Sequence, residues 1–251
     1  MHISFFLYLC TMINLNQTNM FNLNYLRTFL VLAVMLIAST AWAETANVRY
    51  KDADGTTKYV DANVLNNTMN DLAAGWYVVN SDVTYNGDLY TNGDGDVNII
   101  LCDGATLTVN NITPSGHKDR LRIYSQSQGT GTANISGTLA GCYSLTIYGG
   151  TINANILDGY QGSVGINGGT VNVGSISPYG GVSFNGGNVI VTDEVEAGNY
   201  GNIFLSGGTV KASSYSASDV YVCIPKGLTN YDGTGASYTG AASRFVKAQH
   251  E

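Results

Sequence analysis

Ser144-Leu-Thr-Ile-Tyr-Gly-Gly-Thr-Ile-Asn-Ala154 is echoed by Ser163-Val-Gly-Ile-Asn-Gly-Gly-Thr-Val-Asn-Val173. Gly181-Val-Ser-Phe-Asn-Gly-Gly-Asn-Val-Ile-Val191 follows, and then Asn202-Ile-Phe-Leu-Ser-Gly-Gly-Thr-Val-Lys-Ala212. The glycine pairs begin at 149, 168, 186 and 207, at spacings of 19, 18 and 21. A period near twenty, with two short alternating runs around a turn, is the signature of a solenoid that stacks coil upon coil. Leu145 and Ile147 alternate with polar residues before the first turn, and Ile152 and Ala154 after it. That is the periodicity of a strand, not of a helix.

With Leu145 as reference, the equivalent positions read as Ile99, Leu121, Val164, Val182, Ile203 and Val220, in steps of 22, 24, 19, 18, 21 and 17. The earlier coils carry longer corners, with Asp103-Gly104 where later coils have Gly-Gly. A β-sandwich also has recurring turns, but every 8–12 residues and without repeated neighbouring side chains. The reading is therefore an all-β parallel β-helix of about seven coils over residues 81–224.

Composition agrees with strands and tight corners. The 251 residues include 31 Gly, 17 Tyr and three Pro, and only 12% are charged. The formal charge of −7 argues against a phosphate-binding surface and so against nucleic acid as a partner. A neutral surface rich in Asn, Thr, Ser and Tyr suits hydrogen bonding to sugars, and equally an inert stalk.

From Met20 the chain reads as a secretory signal. Arg27 supplies the positive region, Phe29–Ala38 the apolar run, and Ala41-Trp42-Ala43 the cleavage site. Ten apolar residues are too few to span a bilayer. Residues 1–19 fall outside this pattern and read as an upstream extension. Arg49–Val60 forms a hairpin around Asp54-Gly55, a strong turn signal. Residues 61–74 are the only helix-like interval. Residues 44–80 are read as a cap on the first coil, which would otherwise be an exposed edge. After Ile224, Pro225 and Gly227 break the strand. Residues 231–240 carry hairpin signals, and 241–251 read as a frayed tail.

Tyr50-Lys-Asp-Ala-Asp-Gly-Thr-Thr, Gly75-Trp-Tyr-Val-Val-Asn-Ser-Asp-Val-Thr-Tyr and Asn98-Ile-Ile-Leu-Cys-Asp-Gly-Ala-Thr-Leu-Thr-Val109 come in a distinctive order. With Leu121-Arg-Ile-Tyr and the Gly-Gly repeats, they resemble secreted β-solenoid proteins of Bacteroidetes and related gut and oral bacteria. Those proteins are described as carbohydrate-binding-domain or adhesin-like surface proteins. The resemblance covers most of residues 48–224 and implies an exported, non-catalytic, right-handed parallel β-helix. It supplies no sugar-binding motif to carry over.

Candidate chemistry is sparse. Asp158, Asp193, Glu194, Glu196 and Asp219 are scattered among corners, and no nucleophile stands beside a base. No catalytic residue and no cofactor is expected. Asn92, Asp94 and Asp96 alternate as oxygen ligands do in calcium loops, but Val97 stands where such a loop needs Gly, which favours a polar corner. Tyr124 and Tyr148 fall at one outward position on successive coils, about 4.8 Å apart. They could form a stacking platform for a pyranose ring, or a cross-strand aromatic pair. Trp76 is a further ring near the first coil, read as cap packing before ligand contact. Cys102, Cys142 and Cys223 lie coils apart: Cys102 and Cys223 share the Tyr148 column but stand roughly 29 Å from one another. A disulfide needs Cα atoms within about 7 Å, so three free thiols are expected.

The functional expectation is an exported protein, extracellular or on the cell surface (a periplasmic location also fits), that binds glycans or mediates adhesion. The outward Tyr, Asn and Thr ladders would make the contact. A purely structural stalk is the alternative, and a divergent polysaccharide-cleaving enzyme a more distant one. The leader is directly testable: N-terminal sequencing of the secreted protein should begin at Glu44, and an intact 20–43 segment would refute the assignment.

Overall fold

The computed structural model describes residues 44–92, 94–116, 118–198, 201–224, 237–238 and 244–247. The upstream extension at 1–19, the leader at 20–43 and most of the expected last hairpin at 231–240 lie outside the described residues.

The chain opens with an antiparallel hairpin, β1 (Thr45–Lys51) and β2 (Thr57–Val64), followed by β3 (Asp71–Leu72). The first full coil is β4 (Gly75–Val79), β5 (Val83–Thr84) and β6 (Leu89–Thr91). The second is β7 (Asp96–Leu101), β8 (Thr106–Val109) and β9 (Ile112–Pro114), and the third β10 (Arg120–Ser125), β11 (Thr132–Ile135) and β12 (Thr138–Ala140). In the next two coils the second and third segments fuse: β13 (Ser144–Ile147) with β14 (Thr151–Asp158), then β15 (Ser163–Ile166) with β16 (Thr170–Ile176). In the last two the first and second segments fuse instead: β17 (Val182–Val191) with β18 (Glu194–Glu196), then β19 (Asn202–Lys211) with β20 (Ser214–Ser216). β21 (Asp219–Ile224), β22 (Ser237–Tyr238) and β23 (Arg244–Lys247) complete the chain. The result is a β-solenoid of seven coils.

Three parallel ladders run the length of the stack, and each sends at least one column of side chains inward. The first carries Val97, Leu121, Leu145, Val164, Val182 and Ile203. The second carries Leu107, Ala133, Ile152, Val171, Val189 and Val210. The third carries Leu89, Ile112, Leu139, Leu157, Ile176 and Val195. All of these residues are buried in one continuous core. Burying one large aliphatic side chain contributes about 1.5–3 kcal/mol, against roughly 0–1 kcal/mol for a surface ion pair. The columns, not the few salt bridges, hold the coils together.

The first ladder corrects one register assignment. Leu121 pairs with Val97, not Ile99, and Ile99 pairs with Ile123. Alternation cannot detect a slip of two residues, because such a slip leaves every side chain on its own face. Consequently Cys102 does not share the Tyr148 column, which runs instead through Val78, Ile100 and Tyr124. Cys102 and Cys142 are free thiols; nothing is described of the Cys223 side chain.

The Gly-Gly corners follow from stacking. Gly150, Gly169, Gly187 and Gly208 all have φ between +80° and +86°, a region costly to residues with a Cβ. They also sit on one another: a Cβ on Gly169 would lie 2.5 Å from the Gly150 carbonyl oxygen, and one on Gly208 2.4 Å from that of Gly187. No side chain fits at Gly169, Gly187 or Gly208 without a shift of the backbone.

Strands and turns, with no helix among the described residues, close the ends of the stack. Residues 61–74 contain no helix: β2 runs to Val64, and an Asx turn follows in which the Asn66 side chain accepts from the Thr68 amide. Leu65, Met69 and Leu72 cover the core there, and Tyr85 and Tyr77 donate their hydroxyls to the Asn66 and Ala73 carbonyls. The hairpin covers the edge of the first coil, where β2 pairs in parallel with β4 through Asn63 and Val64, and it also lies against the outer face of the first ladder. Its loop is three residues, 53–55, with Gly55 at φ +78° as in a turn with a bulge. At the far end β23 pairs antiparallel with β21, and β22 with Gly208 and Thr209 of β19. Residues 244–247 are thus a strand that covers an edge, not a frayed tail.

The alternation has a direct test. Val182 is buried between Val164 and Ile203, whereas its neighbour Ser183 is turned outward. Val182→Asp should cost several kcal/mol by burying an unpaired charge, and Ser183→Asp well under 1 kcal/mol. Equal losses in chemical denaturation would mean the inward face is misassigned.

Candidate functional site

Tyr124 and Tyr148, which could form either a platform or a cross-strand pair, and Trp76, read as cap packing, do come together, but not in the open. Tyr124 and Tyr148 stack with ring centroids 4.8 Å apart and planes 12° from parallel. Trp76 lies 5.2 Å from Tyr124, and Tyr50 of the hairpin packs against both, at 4.8 Å from Trp76 and 5.1 Å from Tyr124. Val48, Ala62, Val78 and Ile100 complete this second core, and Tyr124 is only 5% exposed. Burial, with the neighbouring Tyr148 adding to it, pushes the Tyr124 hydroxyl well above its ordinary pKa. The hairpin therefore occupies the face a pyranose would need, and the arrangement is a packed aromatic stack of the cross-strand kind. Where the hairpin no longer reaches, the column turns polar. Asn167, two coils beyond Tyr124, accepts from the side-chain amide of Asn185 at 2.7 Å.

The calcium-like corner is likewise committed to neighbours. The Asn92 amide donates to Asp71 at 2.9 Å. Asp96 is held by two guanidinium groups of the next coil, Arg122 at 2.5 Å and Arg120 at 3.5 Å. Asp94 is exposed. The two arginines already match the Asp96 charge, so the corner is a polar one. Among the described residues no three His, Cys, Asp or Glu side chains are placed to hold a metal ion.

A different set of rings faces water. Tyr143, Tyr160 and Tyr179 are 47%, 60% and 56% exposed and occupy the same corner, between the third and first ladders, on three successive coils. The corners are tied to each other through backbone: the Gln161 amide donates to the Cys142 carbonyl at 2.8 Å, and Gly180 to Gly162 at 2.7 Å. Tyr160 has φ +46°, the single non-glycine residue with positive φ among the described residues. For a bulky residue that backbone state is an outlier. Its amide bonds the Asp158 carboxylate at 2.6 Å, which holds the turn in place. Burial pushes the Asp158 carboxyl above the usual carboxylate range, with the Tyr160 amide pulling the other way.

Column-based reading of the sequence missed this corner because the tyrosines are not in one register. Ser144 pairs with Ser163, so Tyr143 aligns with Gly162 rather than with Tyr160. The available signal was recurrence between strands rather than within them. A further tyrosine, Tyr200, follows in the next such stretch of sequence but lies outside the described residues.

The second ladder presents a third feature. Thr132-Ala-Asn134, Thr151-Ile-Asn153 and Thr170-Val-Asn172 stack in register, which produces one outward threonine column and one outward asparagine column. The amides bond along the stack, Asn172 to Asn153 at 3.0 Å and Asn153 to Asn134 at 2.9 Å. A groove of about 500 Å³ runs beside them, with Asn110 and Ser136 also in its lining and no charged side chain. Compared with known proteins, the chain matches no family model, no curated protein and no solved structure.

Proposed function

We propose that this is an exported, non-catalytic solenoid that binds glycans through the tyrosine corner. The observation that carries the reading is Tyr160, held at positive φ with its ring exposed between two other exposed tyrosines. Backbone strain of this kind costs of order 1–3 kcal/mol. A ring that is 60% exposed regains little of that by packing. Glycine, common in this chain's corners, would occupy the position without strain. Tyrosine offers a rigid flat face for the C–H side of a pyranose and a hydroxyl for its oxygens, at small conformational cost. The low charge of the chain and its leader-like segment support the same reading.

Two substitutions separate ligand contact from scaffold. Tyr160→Gly should abolish or sharply weaken glycan binding on an array, while stability holds or rises by up to about 1 kcal/mol as the strain is relieved. Tyr124→Ala should cost about 3 kcal/mol or more, as for other large buried rings. Unchanged binding by Tyr160→Gly would remove the corner from consideration. A wild-type protein that binds no glycan would leave the structural stalk as the better account.

A further inference from the structure

We infer that the asparagine ladder of the second face is a subsite for an uncharged polysaccharide lying along the solenoid axis. This rests on the glycan-binding reading above and adds the charge class of the ligand and the direction of its chain.

Direction comes from the repeat. Thr108, Asn134, Asn153 and Asn172 present polar groups from four consecutive coils, spanning about 14 Å at one strand spacing per coil. Their order runs along the axis, so a ligand that satisfies one coil meets the same kind of group on the next. A polymer of repeating units has that property, and a compact small molecule does not.

The amides also remain available. A primary amide carries two N–H donors and an oxygen with two acceptor sites. In the ladder Asn153 uses one donor and one acceptor site, and keeps one of each. The bonds all run in one sense, from Asn172 toward Asn134, so they polarise each other and strengthen the free ends. Hydroxyl groups of a sugar chain, each both donor and acceptor, are complementary to such a row.

Charge class comes from what the groove lacks. None of its lining residues is ionisable, and the chain as a whole carries a formal charge of −7. A uronate or sulfated chain would bring anions to a wall without a single cation. The volume, about 500 Å³, falls within the usual range for ligand grooves.

The test uses the full chain and linear uncharged oligosaccharides of graded length (cello-, laminari-, manno- and xylo- series), with polygalacturonate and a sulfated glycan as charged probes. Calorimetry should find an uncharged series whose affinity rises with length until the ladder is spanned, and no comparable binding of the charged probes. Asn153→Ala should weaken the longer members about five- to tenfold, the worth of one or two hydrogen bonds. Asn153→Thr, which places in the ladder the residue already found at Thr108, guards against loss of fold. It should keep wild-type thermal stability and still bind more weakly. Length-independent affinity, preference for the charged probes, or full binding by both Asn153 variants would overturn the inference. Binding lost in Tyr160→Gly but intact in Asn153→Ala would overturn the ladder and leave the tyrosine corner standing. The reverse result would keep the ladder and remove the corner.

Discussion

Each coil of this protein satisfies its backbone by bonding to the coils before and after it. Buried amides and carbonyls without partners are costly, so a segment of one coil has no stable existence apart from its neighbours. In-register parallel pairing from β4 to β21 is therefore the condition on which the inward columns, the outward ladders and the stacked glycines all depend. It also defines the problem at each end. Unpaired edges invite foreign strands. Here β23 and β22 cover edges of the last coils from the antiparallel direction. At the other end the 65–74 segment closes the core.

The hairpin pairs with the first coil through β2, and it also solves a second problem, on the flank. The strands β4, β7 and β10 bury residues on both faces. Val78, Ile100 and Tyr124 point away from the solenoid core, and without Val48, Tyr50 and Ala62 over them they would form an exposed apolar strip. The same contact takes the most conspicuous aromatic residues of the chain out of reach of a ligand. Candidate binding groups are left where the hairpin does not extend, on coil corners and on the second ladder.

What the amino-acid order declares, and what it conceals, follows from the range of each interaction. Alternation along a strand is local, so Leu145, Val164, Val182 and Ile203 could be assigned to one inward column from the sequence, and they form one. The slip between Val97 and Ile99 arose because both are apolar and two apart. The hairpin's position depends on contacts between residues far apart in sequence, such as Tyr50 with Tyr124. Its local traces were the unbroken runs Trp76-Tyr77-Val78-Val79 and Ile99-Ile100-Leu101, where a one-sided strand would alternate. The tyrosine corner was hidden by corners of unequal length. The asparagine ladder was visible as a general tendency but not as a groove, since Asn110 and Ser136 reach it only through the bend between two ladders.

The column of Gly150, Gly169, Gly187 and Gly208 bears on how such a chain can change length. Gly169, Gly187 and Gly208 each sit where the backbone of the coil before leaves no room for a Cβ. A lone substitution is therefore obstructed by its neighbour's backbone, while a whole coil copied with its glycine fits above or below its parent. The last three coils form an interchangeable set, open to lengthening or shortening by duplication and loss of complete units. The first four do not, because their outer faces are matched to one particular hairpin. Variation in the number of coils between kindred chains is expected on the carboxyl-terminal side of Gly150, with the amino-terminal portion kept as a unit.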